Sequence, residues 1–422
     1  MASSVNAMER TLIVVFSLLV FDRRVCLATP QDFTATTSIG LCSEAVLIVF
    51  KVGSQGTVGY TTSVLNTQAK ILSWLPTFCN KKQTYPYVDL YLGLSALGTE
   101  TNAAAMLASA NLRTKFVQAL VAAVKTYPNC VGLYVDFDGL TTSQSTGYTA
   151  FMTALYDAAV AASLKIASAL PWNAEIYADI MFSVTLTKLT FNLLKTYLDM
   201  YVSEVEATHP IAPLFQMEAP FDDNKSTIFY SLFRWVIKGF NPNNIILGVP
   251  MYARTFSVTG VTALGGAGSA TSADVSYCSA LIIAADNPVT NLNSAVSFTF
   301  TSSLFVVFDS YATLEIKVNF MKANNLGGIG VFSLNTAGQN AELLRKLTSL
   351  IAPTPPAGYT YPVATTPTCK TNIDFPTLVT TTTTAAPTTT ATTTTAATTV
   401  AGGTTTTAGG ATTASGGATT AA

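Results

Sequence analysis

Eight short, near-continuously apolar runs, separated by longer segments of helical periodicity, constrain this chain more than any other feature. They are Val25–Thr29, Ala45–Val52, Val88–Leu94, Val131–Phe137, Leu164–Leu170, Tyr197–Val202, Ile245–Pro250 and Gly328–Leu334. A strand covered on both faces has no solvent side to alternate toward, so strands of a parallel sheet read as unbroken apolar runs. Between them, Leu112–Thr126, Ala150–Ser163, Ser226–Lys238 and Thr313–Asn324 are each long enough for a helix. Strand and helix in such sustained alternation imply an α/β chain forming a (β/α)8 TIM barrel rather than a doubly wound sheet. The stretch 260–305, rich in Gly, Ser and Thr, breaks the alternation. It reads as a small α+β insertion before the last strand.

The two ends of the chain read differently from its middle. Arg10 precedes the apolar run Thr11–Phe21, which Asp22, Arg23 and Arg24 close off. That run is shorter than the ~20 residues a bilayer requires and has the length of a signal-peptide core, so residues 1–21 are expected to be a signal peptide. Cleavage near 21–24 keeps all six cysteines, Cys26, Cys42, Cys79, Cys130, Cys278 and Cys369, whereas cleavage after Ala28 discards one. An even count in a secreted chain suggests disulfides. A Pro-rich linker carrying Cys369 spans 353–376, and 377–422 is almost entirely Thr, Ala and Gly. Such a tract buries too little to offset ~1–2 kcal/mol of backbone entropy per residue, and it reads as a disordered, mucin-like tail without an apolar anchor. Asn224-Lys225-Ser226 is a glycosylation sequon. A secreted, extracellular monomer is the expectation.

Charged residues make up only 11% of the 422 positions, and the formal net charge is −1, which excludes a nucleic-acid partner held by a basic surface. No cysteine spacing suits zinc, and the single histidine, His209, has no partner for metal or nucleophilic chemistry. No metal and no cofactor are expected. Trp74 and Trp235 fall within helical patterns and read as core.

In a barrel, chemistry sits at the carboxyl ends of the strands. The fourth run continues Tyr134-Val135-Asp136-Phe137-Asp138-Gly139, and carboxylates two apart on a strand share a face. Burying them together is costly unless one is protonated or both are hydrogen-bonded. Taken alone, the pair fits an acid/base site or a structural clamp on loop amides equally well.

The stretch Val131–Gly139 resembles the signature D-G-x-D-x-D-x-E of family 18 glycoside hydrolases, the chitinases and chitinase-like proteins. Gly132 and Asp136 match and Phe137 stands in for the usual aromatic, while Val131, Tyr134 and Asp138 replace acidic positions. Gly248–Phe256 is similar to the family's G-x-P-x-Y-G-R-x-F block. Phe308–Tyr311, Lys317 and Leu326–Phe332 are similar to its last helix and strand. The resemblance runs from about Arg24 to Cys369, with the barrel at 24–352.

It implies substrate-assisted cleavage of β-1,4-linked N-acetylglucosamine polymers. The sugar's acetamide oxygen attacks the anomeric carbon, and one protein acid, at the position of Asp138, protonates the leaving oxygen. Asp136 then corresponds to the aspartate that orients the acetamide. Asp138 is one methylene shorter than the family's glutamate, drawing the acid back by about 1.5 Å, and a displacement of ~1 Å can cost ~10²-fold in rate. The tyrosine position of the sixth strand falls on Val202 or Ser203, and Phe332 replaces the platform tryptophan. Tyr134, Phe137, Trp172, Tyr252, Arg254 and Phe332 are the candidate sugar contacts, with core packing or an ion pair as the competing roles. The resemblance also implies the disulfides Cys26–Cys42 and Cys278–Cys369. Cys79 and Cys130 both precede neighbouring strands, which suggests Cys79–Cys130 as a third. The chain is thus expected to bind chitin or chitooligosaccharides with little or no hydrolysis. A slow chitinase using Asp138, and an extracellular structural or decoy protein, remain the alternatives.

Overall fold

The computed structural model describes residues 22–362 apart from 31–36, 63–66, 199, 201–205, 218–220, 222–223, 271–273, 285–288, 335 and 337–340. The expected signal peptide at 1–21, Cys369, the tail at 377–422 and the Val202/Ser203 position lie outside the described residues.

Eight parallel strands close on themselves. They are β1 (Arg23–Ala28), β2 (Glu44–Val52), β3 (Asp89–Ser95), β4 (Gly132–Asp136), β5 (Lys165–Leu170), β6 (Asn192–Leu194), β7 (Ile245–Pro250) and β8 (Gly328–Phe332). Each pairs with its neighbours in order, and β8 returns to β1 with Val25 opposite Gly330, which completes the (β/α)8 barrel. Helices such as Gln68–Thr84, Ala110–Lys125, Ser145–Ala161 and Tyr311–Ala323 cover the outside. Their starts are set locally: Thr67, Ser109 and Ser310 each accept a backbone N–H of the first turn. A short strand, Val58–Tyr60, adds antiparallel to β2 and forms a hairpin beside the barrel mouth.

Alternation along the strands builds two apolar layers. Inward residues, among them Val46, Tyr91, Tyr134, Phe191, Leu193 and Ile246, fill the barrel. Outward residues pack against the helices in a larger cluster. The interior is tight enough that a Cβ at Gly330 would lie 2.1 Å from a methyl carbon of Leu193, so any larger residue there would force the leucine to move. The disulfides Cys26–Cys42 and Cys79–Cys130 form, with Cα separations of 5.9 and 5.1 Å. Cys278 is also disulfide-bonded.

The insertion is a second sheet. Tyr252–Val258 leaves β7 directly and pairs antiparallel with Leu304–Phe308, which pairs with Val296–Phe300, which in turn pairs with Val289–Asn291. This antiparallel unit starts ahead of the glycine- and serine-rich stretch, at Tyr252.

The sixth strand differs from expectation. It is Asn192–Leu194, not Tyr197–Val202, and it pairs with β5 and β7. Asn192 is fully buried, but its Nδ2 donates to Leu186 O at 3.0 Å and its Oδ1 accepts from Ser168 Oγ at 2.8 Å. A polar residue satisfied in this way can occupy an interior strand without the apolar signature.

Candidate active site at the barrel mouth

Asp136 ends β4 two residues beyond Tyr134, so both face into the barrel. Asp136 is buried, whereas the Asp138 side chain is about one-third exposed (36%). Between them stands Lys195, the first residue after β6, whose side chain is 2% exposed. Its Nζ donates to Asp136 Oδ1 at 2.7 Å and to Asp138 Oδ2.

Neighbouring strands hold the segment that carries Lys195. Its backbone N–H donates to Leu170 O at 2.8 Å, and Thr196 Oγ1 donates to Gly248 O at 2.6 Å. The Tyr197 ring stacks on Phe332 with centroids 5.0 Å apart and planes within 13°. Tyr252 Oη donates to Tyr197 O at 2.6 Å. Three successive residues are therefore tied to different strands.

The electrostatics follow from burial and charge. Burial alone would push the Lys195 ammonium down, but Asp136 and Asp138 outweigh it and hold the group above its ordinary value. Asp136 is raised, chiefly by burial and further by Asp138, against the opposing pull of Lys195. An ammonium has three protons and no lone pair, so both carboxylate oxygens facing it act as acceptors.

The mouth opens on a cavity of about 190 Å³ lined by Asp136, Asp138, Lys195, Tyr197 and Phe332, and also by Lys51 and Thr61. Of the residues expected to contact sugar, only Phe332 lines it. Tyr134 is fully buried one layer below Asp136, against Phe191. Phe137 points the opposite way from Asp136 and Asp138, fully buried against Tyr148 and Phe151 of the helix Ser145–Ala161. Trp172 packs into the outer cluster, where its carbonyl accepts from Ser231 Oγ. Tyr252 is 5% exposed and supports Tyr197 from the side. Arg254 belongs to the inserted sheet and pairs with Asp274 at 3.2 Å. Burial or pairing gives these five residues contacts within the fold. His209 is buried edge-on against Phe256, with Nδ1 3.0 Å from Ala207 O. Asn224 begins a short 3₁₀ turn, Asn224–Ser226. Among the described residues no group of three or more His, Cys, Asp or Glu side chains could hold a metal ion, and no helix is long and apolar enough to cross a membrane.

Lys195 escaped the sequence reading. A lysine after an apolar run normally marks a strand leaving the core for solvent, and here it turns inward because two carboxylates await it. Its position directly after Phe191–Leu194, at a strand's carboxyl end, is the signal that could have found it.

The fold and site together are a closed (β/α)8 barrel with paired carboxylates at its carboxyl-end mouth. The sequence model for glycosyl hydrolases family 18 matches residues 28–337, and the chain belongs to that family. No curated protein matches the chain by sequence. Among solved structures it is similar to the Group IV chitinase of Ostrinia furnacalis, with a TM-score of 0.70 and 19% identity over 78% of this chain and 100% of that one. It is similar to human YKL-39, described as a pseudo-chitinase with retained chitooligosaccharide binding properties, with a TM-score of 0.68 and 17% identity over 78% and 99%. The class V chitinase of Nicotiana tobaccum gives a TM-score of 0.69 and 16% identity over 78% and 99%.

Proposed function

We propose that this chain is a secreted chitinase-like protein that binds N-acetylglucosamine oligosaccharides at the barrel mouth without cleaving them. The observation that carries the reading is Lys195. In the mechanism implied by the family, the residue at position 138 must hand a proton to the leaving oxygen. In this chain the corresponding carboxylate accepts from a buried ammonium. Asp136, which would orient the acetamide, accepts from the same one. Freeing Asp138 to act as an acid means separating it from a desolvated cation, a loss of the order of a few kcal/mol. The shortened side chain adds to that barrier.

Binding is supported by what remains. The cavity keeps an aromatic face at Phe332, backed by the stacked Tyr197, and aromatic faces suit the apolar side of a pyranose. The fold is shared with a protein described as a binder without chitinase function. Secretion is supported by the apolar run Thr11–Phe21, the disulfides and the sequon at Asn224. The same compartment suits a glycosylated 377–422 tail.

Purified protein is expected to give no turnover of a fluorogenic chitooligosaccharide while binding chitotetraose saturably by calorimetry. Turnover that disappears in Asp138→Ala would overturn the reading in favour of a slow enzyme. A folded sample that binds no chitooligosaccharide would leave only a scaffold role.

A further inference from the structure

Next to Asp136, on and beside the two strands that precede its own, the cavity wall carries an ammonium and two hydroxyls. Lys51, near the end of β2, lies in register with Ser95 of β3, which lies in register with Asp136 of β4. A Cβ placed on Gly98 would sit 3.1 Å from Lys51 Nζ, so the ammonium rests in the space which that glycine leaves open. Among the described residues Lys51 makes no ion pair or hydrogen bond. It reaches neither Asp136 nor Asp138. Glu100 feels its charge, but that exposed carboxylate is occupied by the Gly98 N–H at 2.6 Å.

The two hydroxyls line the same wall. Thr61 follows the Val58–Tyr60 hairpin strand, and its Oγ1 is buried with no hydrogen-bond partner among the described residues. Ser95 Oγ already accepts from Leu97 N at 3.2 Å, which leaves its O–H to donate. A buried hydroxyl is costly to leave unpaired, and an accepting group of a ligand would satisfy this one. Lys195 bridges the two carboxylates, so Lys51 is not required to hold that pair together.

We infer that the saccharide bound at this mouth carries an anionic substituent, a carboxylate or a sulfate, seated on Lys51, Thr61 and Ser95. The inference rests on the sugar-binding reading above and deepens it: the neutral part of the ligand lies on Phe332, and the charged part lies on Lys51, Thr61 and Ser95 of the same cavity. An anion there would accept from all three donors at once, and charge-assisted bonds of this kind are about twice as strong as neutral ones.

Calorimetry on the full chain tests this with three probes: chitotetraose, chitotetraose carrying a 6-O-sulfate, and a tetrasaccharide alternating N-acetylglucosamine with glucuronate. At least one anionic probe is expected to bind about tenfold more tightly than chitotetraose at low salt, and the gain should shrink as salt screens the contact. The probe that shows the gain identifies the anionic group. Lys51→Gln should remove the preference for the anionic probe over chitotetraose, and Lys51→Arg should keep it. Chitotetraose binding with no anionic preference, or a preference that survives Lys51→Gln, overturns this inference alone. If no probe binds the folded protein, the sugar-binding reading falls with it.

Discussion

Among the described residues a lysine is buried against aspartate in two places, and the two sites behave oppositely. Behind the last barrel strand, Lys317 of the helix Tyr311–Ala323 donates to both oxygens of Asp309 at 2.7 Å. Thr313 Oγ1 donates to the same carboxylate, and neither charged side chain is more than 2% exposed. At the mouth, Lys195 faces two carboxylates, one of them open to a cavity. Burial wins at the first site and pushes Lys317 down, whereas the second carboxylate wins at the mouth and lifts Lys195. One cation against one anion makes a closed structural clasp. One cation against two leaves surplus negative charge beside open space, which is the arrangement a binding site can use.

That contrast can be broken by substitution. Lys317→Ala leaves Asp309 buried without its counter-ion and should be the most damaging change, at about 3–5 kcal/mol by urea unfolding. A loss below 1 kcal/mol would mean that the clasp is not balanced as described. Lys195→Met should cost less, about 1–3 kcal/mol, because Asp138 can turn toward water. Its unfolding free energy relative to wild type should improve as pH falls and Asp136, already raised by burial, takes up a proton. An unchanged difference between pH 7 and pH 4 would show that Asp136 does not sense the charge of the lysine.

The smallest effect lies at high pH. A lysine raised in the folded state contributes stability that is complete below its unfolded value, near 10.5, and is lost as pH rises through the folded value. Wild type should therefore lose more stability than Lys195→Met above about pH 10.5. Lys317 is lowered in the folded state, so its alkaline behaviour has the opposite sign: as pH rises toward the unfolded value, a destabilising term is relieved. Unfolding curves for the two variants against wild type, from pH 9 to 11, measure the distinction. Equal alkaline losses in both would erase it.

The barrel was legible because buried parallel strands announce themselves as unbroken apolar runs, and seven of the eight lay where those runs fell. The sixth did not, since three residues led by a satisfied asparagine leave almost no hydrophobic trace. The two acids at the mouth were legible from strand parity. The same parity, applied one residue further, places Phe137 outside the barrel, so its role in sugar contact was already contradicted by its position between Asp136 and Asp138. Tyr134 has the correct parity but sits a layer too deep. Parity gives the face a residue takes, while its depth depends on how the other strands fill the interior. Lys195 and Lys51 were invisible for a different reason. A lysine near a strand's end looks like a surface residue until the partners it turns toward are known, and these come from strands far away in sequence.

The anchoring of Lys195, Thr196 and Tyr197 to separate strands has a consequence for how any ligand is received. A wall held in this way needs no ordering when the mouth is filled, so little conformational entropy is lost along it on association. Recognition at such a site is preorganised, and its selectivity then lies in the pattern of charge and aromatic surface presented to the incoming molecule, with little contribution from reshaping around it.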